Sequence, residues 1–529
     1  MYDFIIQNVR IIDGSSTPWY RGSVAVKNGK IAKIGPACGL PAGEAAEVID
    51  GQDLYLAPGF IDIHSHSDVS LPSYPTAESR ILQGVTTEIG GNCGLSAAPV
   101  SENPEKKKQL VDYVGALDYR WNTVGEYLDV MEAEGISTNL GLTVGHGSVR
   151  IAAMGFDKRK ATDEELRKMR QMVRQAMEDG AFGMSSGLIY PPGCFADTDE
   201  LASLCEELVP YGGYYATHMR NENMEIVEAL TEALEIGRRS GAPVQISHHK
   251  VTHKSVWQLH IRTTIAMIEK ARREGMDVQA DQYPYKATST SLDSNAPEWA
   301  FEGGVECLLA RLTDPETRKI INVYANETHL GRWQDTYVSS VGSEKNQWAV
   351  GKSIAEIAQI RGVDPADACF DLVVEEKCRV NEVVFSMCEE DIEYVMKQPY
   401  VMIGSDGEAV TMDYVGRPHP RWFGTFPRVI AHYCRERGLF PLETAVHKMT
   451  GLPAARLGLQ DRGLIREGNW ADLVLFDFEK IQDNPDFDTP KQPCSGIKRV
   501  YVNGVLTAED GVHTGARAGK TLRKGKQVK

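Results

Sequence analysis

Phe60-Ile61-Asp62-Ile63-His64-Ser65-His66 is the stretch around which this sequence is best understood. Its apolar residues predict a buried strand, and two histidines one residue apart leave the same face of an extended backbone. Two imidazoles on one face can share a metal ion. Histidines also fall together by chance in ordinary polar networks, so the other ligand-type residues decide between these two interpretations.

Length and composition indicate a large globular protein. A chain of 529 residues exceeds the usual single compact domain, which predicts a large domain plus a smaller one, or a barrel with insertions. Hydrophobic residues make up 42% and charged residues 25%, and no apolar run is long enough to cross a bilayer. The formal charge of -16 argues against binding to nucleic acid or to an anionic membrane.

The N-terminal residues and the cysteines indicate a cytoplasmic protein. The chain starts without the charged and apolar segments of a secretory signal. Ten cysteines without regular spacing do not form a disulfide framework, so a reducing compartment fits them best. The basic segment 517–529 is expected to be a disordered tail.

Short apolar runs separated by turn signals occupy both ends of the chain. Residues 2–56 alternate in this way, and the pair Asn28-Gly29 favours a two-residue hairpin turn. A similar pattern returns in residues 471–477 and 497–504. We therefore expect the two ends to complete one small β-sandwich domain.

The middle of the chain alternates helical and strand-like segments. Thr162 to Asp179 has helical spacing, a capping box formed by Thr162 and Glu165, and Gly180 as its stop. Strand and helix alternate over about 400 residues, which favours a parallel α/β architecture, and a (β/α)8 barrel hosts such a length more readily than an open sheet.

The sequence thus predicts an α/β fold: a TIM-like (β/α)8 barrel with a small β-sandwich domain. A segment rich in Ser, Thr and Pro at its start, with weak periodicity, predicts an insertion that is either a lid over the barrel mouth or a peripheral subdomain. The predicted parts are residues 1–57 (sandwich, N-terminal part), 58–460 (barrel, with the insertion at about 286–350) and 461–529 (sandwich, C-terminal part, and basic tail).

Ligand-type residues follow several predicted strands directly. Together with His64 and His66, they are expected at the end of the barrel where catalytic residues gather. These residues are Cys93, His218, His248 and Asp406. Imidazole, thiolate and carboxylate are all competent zinc ligands, and a metal with an open position generates hydroxide near neutral pH. That hydroxide can attack a carbonyl, while an aspartate accepts the proton and returns it to a departing nitrogen.

Two further histidines stay outside this set. His249 points away from His248 if the strand continues, which indicates a supporting or structural role. His146 sits at another predicted strand end, but the residues already named fill the usual coordination number.

Motifs along essentially the whole chain resemble the amidohydrolase superfamily and, within it, the N-acyl-D-amino-acid deacylases. The superfamily resemblance rests on residues 58–66, Gly404-Ser405-Asp406-Gly407 and residues 463–474. The narrower resemblance rests on Gly91-Asn92-Cys93-Gly94, Thr217-His218-Met219-Arg220, Ile246-Ser247-His248-His249-Lys250, Tyr283-Pro284-Tyr285 and residues 419–426.

The resemblance implies a zinc site. In this family a cysteine is a ligand where hydantoinases and dihydroorotases use a carboxylated lysine. It implies that a tightly bound zinc is held by Cys93, His218 and His248. A second, weaker position would be surrounded by His64, His66 and Asp406, with Asp406 also the acid/base; whether both positions are filled stays open.

The resemblance also implies how an α-carboxylate is held. Lys250, Tyr283 and Arg421 match the positions that contact it, and an Arg fork with a Lys point charge suits a carboxylate. Tyr285 competes with Tyr283 because alternation puts both on one strand face. Tyr190 either lines the pocket or packs under the barrel rim.

The implied activity is zinc-dependent hydrolysis of an N-acyl-D-amino acid, a small-molecule substrate, to a carboxylate and a free D-amino acid. Alternatives are a related hydrolase of a cyclic amide or dipeptide, and a non-catalytic scaffold, which the complete ligand set disfavours. Residues 288–300 contain no evident cation, so we hypothesise a neutral or apolar side chain. Oligomeric state is not predicted.

Overall fold

The computed structural model describes residues 1–115, 117–329 and 332–525. The strands in chain order are β1 (Tyr2–Ile11), β2 (Tyr20–Lys27), β3 (Lys30–Gly35), β4 (Ala45–Asp50), β5 (Tyr55–Pro58), β6 (Phe60–Asp62), β7 (Val85–Gly90), β8 (Asn139–Gly145), β9 (Gly183–Gly187), β10 (Tyr214–His218), β11 (Val244–Ile246), β12 (Val278–Gln282), β13 (Thr288–Ser291), β14 (Thr336–Val341), β15 (Val380–Val384), β16 (Val401–Ile403), β17 (Leu473–Phe476), β18 (Ile497–Val502), β19 (Val505–Glu509) and β20 (Val512–His513).

The α-helices in chain order are α1 (Ser67–Ser70), α2 (Glu78–Ile81), α3 (Pro104–Val114), α4 (Val124–Glu134), α5 (His146–Met154), α6 (Asp163–Asp179), α7 (Thr198–Cys205), α8 (Ile226–Ser240), α9 (His260–Arg273), α10 (Val305–Thr313), α11 (Pro315–His329), α12 (Ile354–Arg361), α13 (Pro365–Glu376), α14 (Glu389–Met396), α15 (Arg421–Arg428), α16 (Leu442–Met449) and α17 (Gly451–Leu457). Among the described residues, none of these helices combines the length and the apolarity that crossing a bilayer requires.

Eight parallel strands form the predicted barrel. They run in the order β16, β12, β11, β10, β9, β8, β7 and β6. The segments that follow the first and last strands of this order, β6 and β16, are hydrogen-bonded to each other. The Asp406 N–H donates to the His64 carbonyl at 2.8 Å, and the His66 N–H donates to the Gly407 carbonyl at 2.8 Å. The (β/α)8 fold is therefore confirmed, with a seam between the first and last strands.

The two chain ends form one nine-stranded sheet. The register of β1 against β2 shifts between Ile6 and Val9; before this shift β1 also pairs with β4, and after it with β5. The rings of Phe4 and Tyr501 stack at 4.8 Å although their strands are not neighbours, so the sheet folds over its own core. The expected β-sandwich is confirmed.

Two local signals are also confirmed. Helix α6 begins after the capping box of Thr162 and Glu165 and ends at Gly180, which has a φ of 110°. Asn28 and Gly29, with φ of 51° and 73°, join β2 to β3 as the hairpin turn requires.

The insertion between β12 and β16 is longer than the predicted segment at about 286–350. Its β15 lies beyond that segment and pairs with both β13 and β14 in an antiparallel sheet. The Met387 N–H donates to the Lys286 carbonyl at 3.0 Å, so the two ends of the insertion leave the barrel side by side. Strand β13 lies against the barrel mouth, where the Ser289 carbonyl accepts from Arg421.

The expectation of a disordered tail is wrong for residues 517–525. Thr521 forms a parallel β-bridge with Leu140, the side chain of Leu522 is buried, and the Arg523 guanidinium forms a salt bridge with Asp129 at 2.6 Å. Residues 526–529 lie outside the described part. The domain boundaries at 57/58 and 460/461 stay a prediction.

Candidate metal centre

The six predicted metal ligands meet at the mouth of the barrel. They form two groups that share Cys93, and within each group the candidate ligand atoms all lie within 4.8 Å of one another. One group adds His218 and His248, and the other adds His64, His66 and Asp406. The Cys93 Sγ lies 3.3 Å from the His248 Nε2 and 3.4 Å from the His64 Nε2.

Three of these residues have a left-handed backbone. The φ angles are 50° at Cys93, 35° at His248 and 52° at Asp406. Non-glycine residues adopt this conformation rarely, and it concentrates where the surrounding structure fixes a functional side chain. Because β11 ends at Ile246, His248 lies on the loop beyond the strand rather than on it.

The two histidines excluded from the ligand set are placed elsewhere. His249 is fully buried, and its Nε2 lies 2.9 Å from the Thr264 hydroxyl. His146 pairs with Glu200 at 2.8 Å. Neither belongs to the two donor groups.

Asp281 is a supporting carboxylate that the sequence analysis missed. Its Oδ1 lies 2.9 Å from the His64 Nδ1 and accepts the His248 N–H at 2.7 Å, while its Oδ2 accepts from Gln245 at 2.8 Å. A carboxylate on one imidazole nitrogen fixes the tautomer and leaves the other nitrogen for a metal. The signal for it was a charged residue inside the buried β12.

Glu222 is the second missed residue. Its carboxylate lies 3.3 Å from the His218 Nε2, 3.1 Å from the His248 Nδ1 and 2.6 Å from the Lys250 Nζ. It therefore connects two predicted ligands to a predicted substrate-binding residue. Its sequence signal was a glutamate four residues after His218, on the loop that follows β10.

The electrostatics of the centre favour a cation. Burial raises the pKa of Cys93, but His248 and His64 outweigh it and hold that pKa well below the ordinary value. Burial lowers the pKa of His66 and His218, but Asp406 raises the first to about 10 and Glu222 raises the second to about 9. The raised pKa values thus show that negative charge is concentrated around these histidines.

The donor set also fits a bound metal. His218 is 4% exposed, yet its Nδ1 makes no hydrogen bond with any described residue, and its Nε2 faces the Glu222 carboxylate at 3.3 Å without hydrogen-bond geometry. A buried polar group without a partner is costly, so these nitrogens need a ligand. Histidine, cysteine and carboxylate donors together suit zinc.

The residues predicted to hold a carboxylate lie together beside this centre. Arg421 Nη1 is 2.8 Å from the Asp406 Oδ2, and the guanidinium lies 4.8 Å from the centre of the Tyr283 ring. The Lys250 Nζ lies 5.9 Å from the same ring. Burial raises the pKa of Tyr283 well above its ordinary value, so its hydroxyl stays a neutral donor.

The structure separates the two competing tyrosines and places Tyr190. Tyr283 lines the cavity, whereas the Tyr285 hydroxyl points to the Pro420 carbonyl at 3.4 Å. Tyr190 also lines the cavity, with its ring 5.0 Å from that of His218.

A cavity of about 480 Å³ extends from the metal donors to the insertion. Its wall includes the cationic side chain of Arg332, which follows α11. Arg332 lies outside the segment 288–300, whose lack of a cation led to the hypothesis of a neutral pocket. Asp293 and Glu382 also line the cavity. Residues 288–300 contribute no cation to the cavity, and the hypothesis of a neutral or apolar side chain stays a prediction.

The fold and the donor set define an amidohydrolase. The amidohydrolase family model matches residues 47–508, and the chain belongs to that family.

Within the family, the chain is similar to D-aminoacylases, as its motifs had indicated. D-aminoacylase of Alcaligenes xylosoxydans xylosoxydans is 39% identical over 522 residues, which are 98% of this chain and 97% of that protein. A solved D-aminoacylase with a binuclear metal centre is 36% identical, with a TM-score of 0.83 over 99% of this chain and 100% of its own.

A solved N-acyl-D-glutamate deacylase from Bordetella bronchiseptica is also similar. It is 32% identical, with a TM-score of 0.83, and the match covers 99% of each chain. That structure holds zinc and a phosphonate inhibitor that mimics the tetrahedral intermediate of its reaction.

Proposed function

We propose that this protein hydrolyses the amide bond of N-acyl-D-amino acids and releases a carboxylate and a free D-amino acid. The observation that carries the proposal is the meeting of six candidate metal donors, five of which line the same cavity as Lys250, Tyr283 and Arg421; these last three form its cationic wall, in which Tyr283 is the neutral member. The D configuration is supported by the similar deacylases.

The donors fit zinc, which we propose as the metal. Cys93, His218 and His248 would hold one ion tightly, and His64, His66 and Asp406 would surround a second, weaker position. Bound zinc supplies a Lewis acid that activates water and polarises the scissile carbonyl.

Asp406 is the proposed acid/base. Burial raises its pKa, but Arg421 and His248 outweigh it and hold the pKa well below its ordinary value, so the carboxylate is ionised at neutral pH. It takes a proton from the attacking water and delivers it to the leaving nitrogen, which departs as an amine. Contacts of 3.0 Å with His66 and 2.8 Å with Arg421 hold it in position.

The substrate α-carboxylate is the proposed partner of the cationic wall. Arg421 offers a planar fork, Lys250 a point charge and Tyr283 a neutral hydroxyl donor. Tyr190 is proposed to contact the substrate where its ring lies against His218. We also propose a cytoplasmic location, which the ten free cysteines support.

The test is hydrolysis of N-acetyl-D-methionine and N-acetyl-L-methionine by the purified protein, with zinc determined on the same sample. We expect turnover of the D form only, and loss of about 10³-fold in kcat for Asp406→Asn. Asp391→Asn, at a buried aspartate elsewhere, serves as the matched control. Bound zinc with turnover of a cyclic amide or a dipeptide, but of neither acetylmethionine, would reject the proposal.

A further inference from the structure

One end of the cavity is lined by buried acids. Asp293 is 5% exposed and Glu382 is 3% exposed, and both face the same space. Neither carboxylate is paired with a cation in the part of the chain that the structure describes. Buried carboxylates usually have such partners, so this end of the cavity lacks a group that would complement it.

The register of the insertion sheet fixes where Glu382 lies. It stands directly opposite Thr290 in the antiparallel pair of β13 and β15, and such partners share a face of the sheet. The Thr290 hydroxyl lies 3.0 Å from the Tyr190 hydroxyl, and the Tyr190 ring packs against His218. The acidic end is thus one layer of side chains away from the metal donors.

The Glu382 carboxylate is only half satisfied. Its Oε2 accepts from the Asn295 Nδ2 at 2.9 Å, whereas its Oε1 accepts no hydrogen bond from residues 1–115, 117–329 or 332–525. Burial, with a contribution from Asp293, raises the pKa of Glu382 to about 8, against the opposing effects of Asn295 and of the charge on Arg332. A cationic donor in the cavity would relieve both the missing bond and the charge repulsion.

Arg332 does not supply that donor. Its guanidinium is engaged with backbone carbonyls, since Nη1 donates to Thr252 at 2.9 Å and Nε donates to His329 at 3.2 Å. It forms no ion pair with Glu382 among the described contacts. Glu382 is largely protonated near neutral pH when no cation is bound, and a cationic group beside it favours its ionised form, whereas an acidic group opposes it.

We propose that this acidic end binds the side chain of the D-amino acid and selects a cationic one, such as that of an N-acyl-D-lysine, N-acyl-D-ornithine or N-acyl-D-arginine. The proposal rests on the proposed function and names its substrate class. Glu382 is the specificity-determining residue, and Asp293 strengthens its field.

The experiment compares substrates that differ in the charge of the side chain. We expect kcat/KM for N-acetyl-D-lysine to exceed that for Nα,Nε-diacetyl-D-lysine, which has no side-chain charge, and that for N-acetyl-D-glutamate, by about tenfold or more. Glu382→Gln should reduce the preference for N-acetyl-D-lysine over N-acetyl-D-methionine by about tenfold, through a higher KM for the lysine substrate.

Asp112→Asn is the matched control. Asp112 also lines the cavity, but its carboxylate is already paired with Lys108 at 2.7 Å. This variant should keep the lysine preference. An equal loss in Asp112→Asn would mean that the general charge of the cavity selects the substrate, which would overturn the role of Glu382.

Calorimetric binding of D-lysine and D-methionine separates this proposal from the proposed function. Binding of D-lysine that depends on Glu382, without turnover of any acetylated amino acid, would keep the subsite and reject the reaction. Turnover of acetylated D-amino acids without a preference for lysine would keep the reaction and reject the subsite. A preference for N-acetyl-D-glutamate that Arg332→Gln abolishes would also overturn the subsite.

Discussion

The two donor groups that share Cys93 differ in how well their polar atoms are satisfied by the protein itself. In the group with His218 and His248, the His218 Nδ1 is buried without a hydrogen bond to any described residue, and the Nε2 has only an ionic contact with Glu222 at 3.3 Å that lacks hydrogen-bond geometry. In the group with His64 and His66, the Asp406 carboxylate already contacts both histidines and Arg421.

This difference explains why two adjacent positions need not bind a cation equally. Binding gains most where buried polar atoms have no other partner, and gains less where an existing ion pair must be weakened. We therefore expect the position around His218 to bind zinc more tightly than the position around Asp406, where Arg421 competes for the carboxylate.

Cys93→Ala is the most severe test of this comparison, because it removes the donor common to both groups. We expect the purified variant to lose its tightly bound zinc and about 10³-fold or more of its kcat/KM. Metal analysis and hydrolysis of N-acetyl-D-methionine measure the two effects. Cys205→Ala, at a buried cysteine on α7, should change neither. Zinc retained at full stoichiometry in Cys93→Ala would contradict the shared-donor arrangement.

Glu222→Gln probes only the group around His218. Since Glu222 contacts His218, His248 and Lys250, we expect zinc affinity to fall about 30-fold and KM to rise. Competition with a chelator gives the affinity without reference to activity. Glu200→Gln, which alters a buried carboxylate paired with His146 outside the donor groups, is the control. Equal losses in both variants would indicate general destabilisation.

Arg421→Met should have the smallest effect on metal binding, and of opposite sign. Removing the guanidinium frees the Asp406 carboxylate, so the affinity of the second position should rise about fivefold while KM for the substrate increases. Titration of a second zinc equivalent measures this. A weaker second position would show that Arg421 orients Asp406 for the metal rather than competing with it.

The meeting of the six candidate metal donors could be predicted from the sequence because each stands at or just after the end of a recognisable buried strand. Asp281 and Glu222 have weaker local signals, a charge inside β12 and a glutamate four residues after His218, and these signals do not identify the partners that come from other strands. Asp281 contacts His64 although β12 and β6 are separated by β16, and Glu222 meets Lys250 because β10 and β11 are neighbours.

The fold shows the same limit. The barrel and the sandwich follow from local alternation and turn signals, whereas the extent of the insertion depends on β15, which pairs with strands far away in the sequence. The tail was misjudged for a similar reason. Its composition is that of a disordered segment, but Leu522 finds a buried position against the barrel.

The seam of the barrel has a consequence for how the protein comes apart. His66 and Asp406 lie on its two sides, 340 residues apart in the sequence, and their side chains are 3.0 Å apart. A metal that both residues coordinate is therefore a removable cross-link between the first and last strands, and closing so long a loop restricts the unfolded chain strongly. Amide hydrogen exchange along β6 and β16 should accordingly be the earliest to accelerate when metal is withdrawn, before the rest of the barrel loosens.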